Sequence, residues 1–547
     1  PAALEDAVGQ GRPGGRAAGP AWRPPLPGRV PLFQILGEPV EPLQVPIGII
    51  DNPTKQQQGP WRIDLARAGG HHAVIGAPQS GRSTFLRTLA AGIATTHTPT
   101  HVTMYGLDLT GAGLTRLEAF PHVGGIATRS SPEQQTRLIE ELQGMLVTRE
   151  RLFREHRIES LAHLRARHAS GALKELVSPD VVLLIDGYGL VRSDFEHLDA
   201  PLADLLTRGS SFGIHLVLAL TRWAEVQMKL QPLIGNRYEL RLNDSSESTI
   251  ARKLSATLVQ PGRSLTDDQL FAHVAMPTID DVPDEQTGEA LADLAAQTAA
   301  SWNGPSAAAI RLLPDNLDPT TLPDEFDEPD RVPLGLRQDT MEPALLDLGG
   351  RDQHLLVLGD TESGKTTLLR LLAAGLTARR TPDEVVFALM EPRGILAGEV
   401  PDEYLGGHAS NGMKSKELAG ALALELVKRQ EGGSTNLHIV AVVDDYDILS
   451  AGNTGPLEPL LPFLPQARDL GLSVVLTRPV AGASRALYES VLQTLKDIGA
   501  TGVVLAGERS EGPIWPGVYA TPTIPGRGRV IRRGEPPRLI QVANRTG

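Results

Sequence analysis

The chain has 547 residues, a formal net charge of −13 and no cysteine. That length exceeds what one hydrophobic core holds and calls for about two to four domains. The acidic balance argues against a nucleic-acid partner, and the lack of cysteine excludes disulfides and thiolate metal sites.

No apolar run is long enough to span a bilayer, and the opening "PAALEDAVGQGRPGG" lacks the charged start and apolar centre of a signal peptide. The expectation is a soluble protein of a reducing compartment. The chain starts on Pro1 rather than Met, and a fragment of a longer chain and the separate half of a split one are both expectations.

Residues 1–36 read as a linker-like segment, ending in the proline-rich "AWRPPLPGRVPLFQIL" (Ala21–Leu36). A first domain is placed at 37–305. Its apolar strand "HAVIG" runs into the glycine loop Gly76, Ala77, Pro78, Gln79, Ser80, Gly81, Arg82, Ser83 and Thr84, and the loop into an apolar helix. The stretches "HVTMYGLDL", "VVLLID" and "IHLVLAL" follow as further buried strands. Between them Leu138, Leu142, Met145 and Leu146 recur at helical spacing within Glu133–His168, which predicts a long amphipathic helix or helix pair packed on a sheet face.

A linker rich in proline and carboxylates occupies 306–331, including "LLPDNLDPTTLPDEFDEPDR" (Leu312–Arg331), and a second domain occupies 332–547. The two domains are copies. "VPIGI" is echoed by "VPLGL", "HHAVIGAPQSGRST" by "QHLLVLGDTESGKTT", "VVLLIDGYG" by "IVAVVDDYD" and "GIHLVLALTR" by "GLSVVLTRP", all in the same order. Alternation of buried strands with helices makes each copy an α/β domain with a largely parallel, doubly wound sheet, of the P-loop NTPase (RecA-like) kind, with ligands outside the strands' carboxyl ends.

In the second copy Gly359, Asp360, Thr361, Glu362, Ser363, Gly364, Lys365, Thr366 and Thr367 satisfy G-x-x-x-x-G-K-[ST] between a strand and a helix. There, backbone N–H groups curl around phosphates, lysine meets the β- and γ-phosphates, and the hydroxyl helps hold Mg²⁺. In the first copy Arg82 stands for the lysine. Its planar guanidinium can pair with phosphate but cannot sit as a compact point charge.

Each copy also has an apolar strand ending in aspartate, Asp186 or Asp444, which with Ser83 or Thr366 is expected to hold Mg²⁺ through the nucleotide. The next residue, where a water-activating acid belongs, is Gly187 in the first copy and Asp445 in the second. The first site should bind ATP and hydrolyse it poorly. At the second, Lys365 and Asp445 are the candidate catalytic residues, with Asp445 alternatively a turn cap and Asp447 a surface or turn residue.

Thr221 and Thr477 end the next strand, where a hydroxyl can sense the γ-phosphate or merely satisfy backbone. Arg237 is read as a structural ion pair or an arginine finger, with Thr501 as its counterpart and no arginine nearby in the second copy. His71 and His72 show no metal-ligand spacing and are assigned to packing or hydrogen bonding. "GSSFG" (Gly209–Gly213) follows a helix and precedes a strand, the reverse of a nucleophile elbow.

Tandem loops with Asp-Gly and then Asp-Asp at the strand ends, together with "VVLLIDGYGLVRSDFEHLDAPLADLLTRGSSFGIHLVLALTRW" and "VVDDYDIL", resemble FtsK/SpoIIIE-type ATPases. More narrowly they resemble the second and third ATPase domains of the EccC family, the motors of type VII (ESX) secretion systems. The resemblance implies ATP and Mg²⁺ as cofactors, a hexamer at the inner, cytoplasmic face of the cell membrane, and contact with other secretion-machinery subunits. It also implies recognition of WXG100-type secreted proteins by a C-terminal signal bound on the last domain. A DNA translocase of the same superfamily and a non-catalytic, nucleotide-stabilised scaffold are the alternatives.

An "LP" pair precedes each domain, and each such segment is expected to dock on the domain it precedes or to be an inert tether. A further expectation is that Leu312–Arg331 reaches back to mask a groove of the first domain, leaving the second domain's groove open.

Overall fold

A computed structural model describes residues 24–36, 43–66, 70–111, 113–323, 330–432, 437–452 and 454–544. Residues 1–23 of the opening segment and 324–329 of the linker lie outside them. The chain divides into two compact units, Pro1–Ile310 and Arg311–Gly547.

The first unit is one ten-stranded sheet. Its strands are β1 (Gln44–Asn52), β2 (Gln57–Asp64), β3 (His72–Ile75), β4 (Val102–Asp108), β5 (Val123–Thr128), β6 (Asp180–Asp186), β7 (Ile214–Leu220), β8 (Asn236–Glu239), β9 (Arg263–Thr266) and β10 (Phe271–Val274). They lie in the order β2-β1-β10-β9-β8-β3-β7-β6-β4-β5. The six strands from β8 to β5 are parallel, and the four beyond β8 are antiparallel.

The second unit repeats this. Its strands are β11 (Arg331–Arg337), β12 (Pro343–Asp347), β13 (Leu355–Leu358), β14 (Val385–Met390), β15 (Leu405–Ala409), β16 (His438–Val443), β17 (Leu472–Arg478), β18 (Thr501–Val504), a small hairpin β19 (Pro513–Trp515) and β20 (Val518–Tyr519), then β21 (Arg527–Ile531) and β22 (Arg538–Val542). The sheet order is β12-β11-β22-β21-β18-β13-β17-β16-β14-β15. The bulge at Pro46/Gly48 recurs at Pro333/Gly335, and the one between β4 and β5 recurs between β14 and β15.

Strands β6 and β7 are buried at every residue, which explains their unbroken apolar runs: helices cover both faces, so neither face can be polar. In each unit two apolar clusters, one on each side of the sheet, form the core. The amphipathic stretch is a helix Pro132–Glu155 followed by a shorter one, Leu161–Ala169. Leu138, Leu142 and Leu146 are buried, each worth about 1.5–3 kcal/mol of apolar transfer. Arg149, on the same face, is fully buried and donates to the carbonyls of Ser178, Pro179 and Phe212 at 2.5–2.9 Å.

The segments ahead of the two units dock alike. Met276 N–H donates to Val30 O and Asn544 N–H to Leu317 O, at 2.7 and 2.8 Å. Arg263 Nη2 donates to Leu26 O and Arg527 Nη2 to Leu313 O, at 3.0 and 3.1 Å. Each "LP" segment thus lies on the unit it precedes.

Masking of the first unit by Leu312–Arg331 is therefore not what the described residues do. Leu317 and Leu322 pack with Ala543 of the second unit. The reason is local: Arg527 is 3% exposed, and a buried guanidinium needs the acceptors that Leu313 and Pro314 supply. Only the four residues just upstream belong to the first unit's surface. Ala307 and Ile310 donate backbone N–H to Pro121 O and Gly124 O, and Tyr105 Oη donates to Ala308 O.

Two candidate nucleotide sites

Each glycine loop leaves the carboxyl end of a central parallel strand and enters a helix, Arg82–Thr96 or Lys365–Thr377. Gly81 and Gly364 sit at φ +108° and +103°, a conformation that favours glycine. The loops are pinned identically. Gly76 and Ala77 donate N–H to Leu220 O and Arg241 O, as Gly359 and Asp360 donate to Arg478 O and Ala506 O. Ser80 and Ser363 each accept from the next glycine turn, Gly262 or Gly526.

The side chains then diverge. Lys365 is buried and folds under its own loop, donating to Gly359 O at 2.7 Å and Asp360 O at 3.0 Å. Arg82 is too long and planar for that and reaches across to Thr221 Oγ1 at 2.7 Å. Ser83 Oγ donates to Asp186 Oδ2 at 2.6 Å, and Thr366 Oγ1 to Asp444 Oδ2 at 3.3 Å. Burial, more than any neighbour, pushes both aspartates above the usual carboxylate range.

A hydroxyl beside a buried carboxylate is a hard-oxygen donor pair that suits Mg²⁺. Among the described residues no group of three or more His, Asp or Glu could hold a metal ion.

In the second unit Thr361–Thr367, Asp445 and Asp447 line one cleft of about 440 Å³, together with Pro525, Gly526 and Asn544. In the first, a cleft of about 930 Å³ opens beside Gly81 and Thr84, lined also by Arg29, Arg87, Gly262 and His273. Asp445 has φ +50°, and its carboxylate makes no capping bond to the short helix Tyr446–Leu449. Gly187 holds the same left-handed backbone at φ +87° with no side chain.

Thr221 and Thr477 are not equivalent. Ala219, not Thr221, lies opposite Asp186, and Thr477 takes that register one residue past the Val443–Leu476 pair. Thr477 Oγ1 donates to Asp444 Oδ1 at 2.5 Å and accepts from Asp445 N–H, whereas Thr221 accepts from Arg82. Arg237 pairs with Asp267 at 3.1 Å and stacks over Trp223. The β-sheet register matches it with Gly502 rather than Thr501. His71 donates to Leu206 O and accepts Leu216 N–H on Nδ1, as His354 Nδ1 accepts Val474 N–H, so both are strand-pinning residues.

Sequence reasoning missed the loop after β14. Asp108 lies opposite Asp186, and Glu391 occupies the matching place in the second unit. Asp108 accepts the amides of Gly111, Gly113 and Leu114, and Glu391 those of Ile395, Leu396 and Ala397. Two residues on stand Thr110 and Arg393. Arg393 Nε lies 3.3 Å from Asp445 Oδ2. The shared pattern acid-x-x-Gly in "DLTG" and "EPRG" is the signal that could have found it.

The FtsK/SpoIIIE family profile matches residues 38–280 and 317–402. The chain is 36% identical over 518 residues to the ESX secretion system protein EccC of Thermomonospora curvata, covering 92% of this chain and 39% of that protein. It is 32% identical over 522 residues to the ESX-1 secretion system protein EccCb1 of Mycobacterium tuberculosis, covering 90% and 88%. It thus spans less than half of the T. curvata relative. The solved structure of T. curvata EccC ATPases 2 and 3 in complex with a signal sequence peptide matches with a TM-score of 0.82 at 34% identity, covering 96% of this chain and 100% of that one.

Proposed function

This chain belongs to the EccC group of the FtsK/SpoIIIE ATPase family, and from that premise we propose that it is an ATP-binding motor segment that recognises WXG100-type secreted proteins through its second unit. Its first site binds ATP and retains it. Arg82 and Ser83 contact phosphate, Asp186 stands by the cation, and Gly187 offers nothing to activate water. The second site turns over slowly. Lys365 meets the phosphates, and Asp445 takes the proton of water as its oxygen bonds to the γ-phosphorus and the bond to the β–γ bridging oxygen breaks. Thr366 and Asp444 would hold Mg²⁺, which would supply charge neutralisation on the phosphates. Hexameric assembly beside other secretion subunits at the inner membrane face belongs to the same reading.

The observation that carries the docking part is the unequal treatment of two matching edge strands. β5 reads "VGGIAT" and β15 reads "LGGHA" with Ser410 next. Ile310 lies against Gly125, so closely that a Cβ there would meet its Cδ1 at 3.0 Å, and Gly124 is buried. The matching Gly406 is exposed, and β15 is the outermost strand of its sheet. Met413 and Leu424 on the following helix Gly412–Gln430 are 70% and 68% exposed. An extended, partly apolar peptide can add to such an edge, as Ala307–Ile310 does on the first unit.

The test is hydrogen exchange on the whole chain with a synthetic C-terminal signal peptide of a WXG100-type protein. Protection is expected over 405–409 and not over 123–128, and Ile310→Asp should open 123–128 to the peptide. Protection of the β5 edge alone in the unaltered chain refutes the placement.

A further inference from the structure

The second cleft contains a cation that no phosphate-loop motif includes. Arg393 lines the same space as Lys365, Thr366 and Asp445, and its side chain is 62% exposed while that of Asp445 is 13% exposed. The loop beneath it is rigid, because Glu391, 1% exposed, accepts three consecutive amides at 2.8–2.9 Å. The guanidinium therefore moves on its own flexible stem from a fixed base.

The first unit supplies the control. A Cβ on Gly187 would lie 2.6 Å from Thr110 Cγ2, so Thr110 fills the space that a side chain at 187 would need. Where the acid is missing, the arginine is missing too, and each pair suits only itself. A half-exposed ion pair holds its partners weakly in water. A γ-phosphate brings more charge than one carboxylate and matches the guanidinium fork with two oxygens.

We propose that Arg393 is a positioning residue of the second site that exchanges partners. Without a terminal phosphate it holds Asp445, and with a nucleoside triphosphate it passes to the γ-phosphate and releases the carboxylate. This rests on the reading that the second loop binds ATP. The exchange makes Arg393 a discriminator between nucleoside triphosphate and diphosphate, since a diphosphate has no group to draw the arginine away.

The experiment is equilibrium binding of a non-hydrolysable ATP analogue and of ADP to the whole chain, with the Lys365→Ala chain as blank to isolate the second site. Arg393→Ala is expected to lose at least about tenfold in affinity for the analogue and less than about threefold for ADP. Arg393→Lys should restore part of the loss, because it keeps the charge but not the fork. An unchanged analogue-to-ADP ratio in Arg393→Ala, with Lys365-dependent binding intact, overturns the exchange and leaves the ATP reading standing. Absence of any Lys365-dependent binding overturns both. Circular dichroism and melting of each variant separate these outcomes from misfolding.

Discussion

The two units share a sheet order, two bulges and the pinning of the glycine loop, yet differ in the side chains around that loop. Arg82 and Lys365, Gly187 and Asp445, Thr110 and Arg393, and Ala219 and Thr477 are exchanged. The backbone hardly registers them: Gly187 and Asp445 both occupy the left-handed region, where aspartate is among the few residues tolerated at modest cost. The lesson is that one backbone frame accommodates two different sets of side chains. On the proposed reading the loop backbone, Lys365 and the strand-end aspartate hold the nucleotide, and Asp445 carries the chemistry.

The largest effect should come from removing the proposed base. Asp445→Asn keeps the backbone and the nucleotide and is expected to lower the steady-state ATPase rate about a hundredfold. Lys365→Ala should instead weaken binding at the second site while ATP persists unhydrolysed at the first, as read by chromatography of bound nucleotide. Rapid ADP formation by that variant erases the distinction between the sites.

A smaller effect tests whether the first unit can be converted. Gly187→Asp places a side chain against Thr110 and should cost about 1–3 kcal/mol of unit stability by denaturant melting. Adding Thr110→Ala should recover most of it. No loss in Gly187→Asp alone would mean that Thr110 does not guard the position.

The smallest separates the units by pH. Burial lowers His71 to about 3 and His97, His273 and His354 to about 4, and the first three belong to the first unit. Their folded values lie below the unfolded one, so the stability they lend is full above pH 6.5 and declines as pH falls toward 4. At pH 5.5 a fully buried one costs about 1.4 kcal/mol, so the first unit, with three such histidines against one, should lose more than the second. Exchange rates of unit-specific peptides between pH 7.5 and 5.5 measure it.

The glycine loops and strand-end aspartates were legible because phosphate chemistry dictates residue type and spacing together. The helix over Pro132–Glu155 was legible because its leucines face one core. The register at the strand ends was not: β7 and β17 end at the matching positions Leu220 and Arg478, so matching "LTR" with "LTR" slips the register by two residues. The antiparallel half of each sheet was hidden as well. Short strands such as Arg263–Thr266 carry too few residues for a period, and long-range pairing alone defines them. Arg393 lay in a loop whose meaning comes only from its neighbour across the sheet.

The strap that precedes each unit has a consequence for ancestry. Leu26 and Leu313 meet matching arginines, and Val30 and Leu317 take up matching backbone bonds. What was copied was therefore a domain together with its leading strap, not a bare domain later joined by filler. A fragment intended to stand for one repeat must begin upstream of that strap. Cut at Val332, the second repeat would keep the socket and lose the peg, leaving Arg527 without the Leu313 and Pro314 carbonyls and Ala543 without its leucine cover.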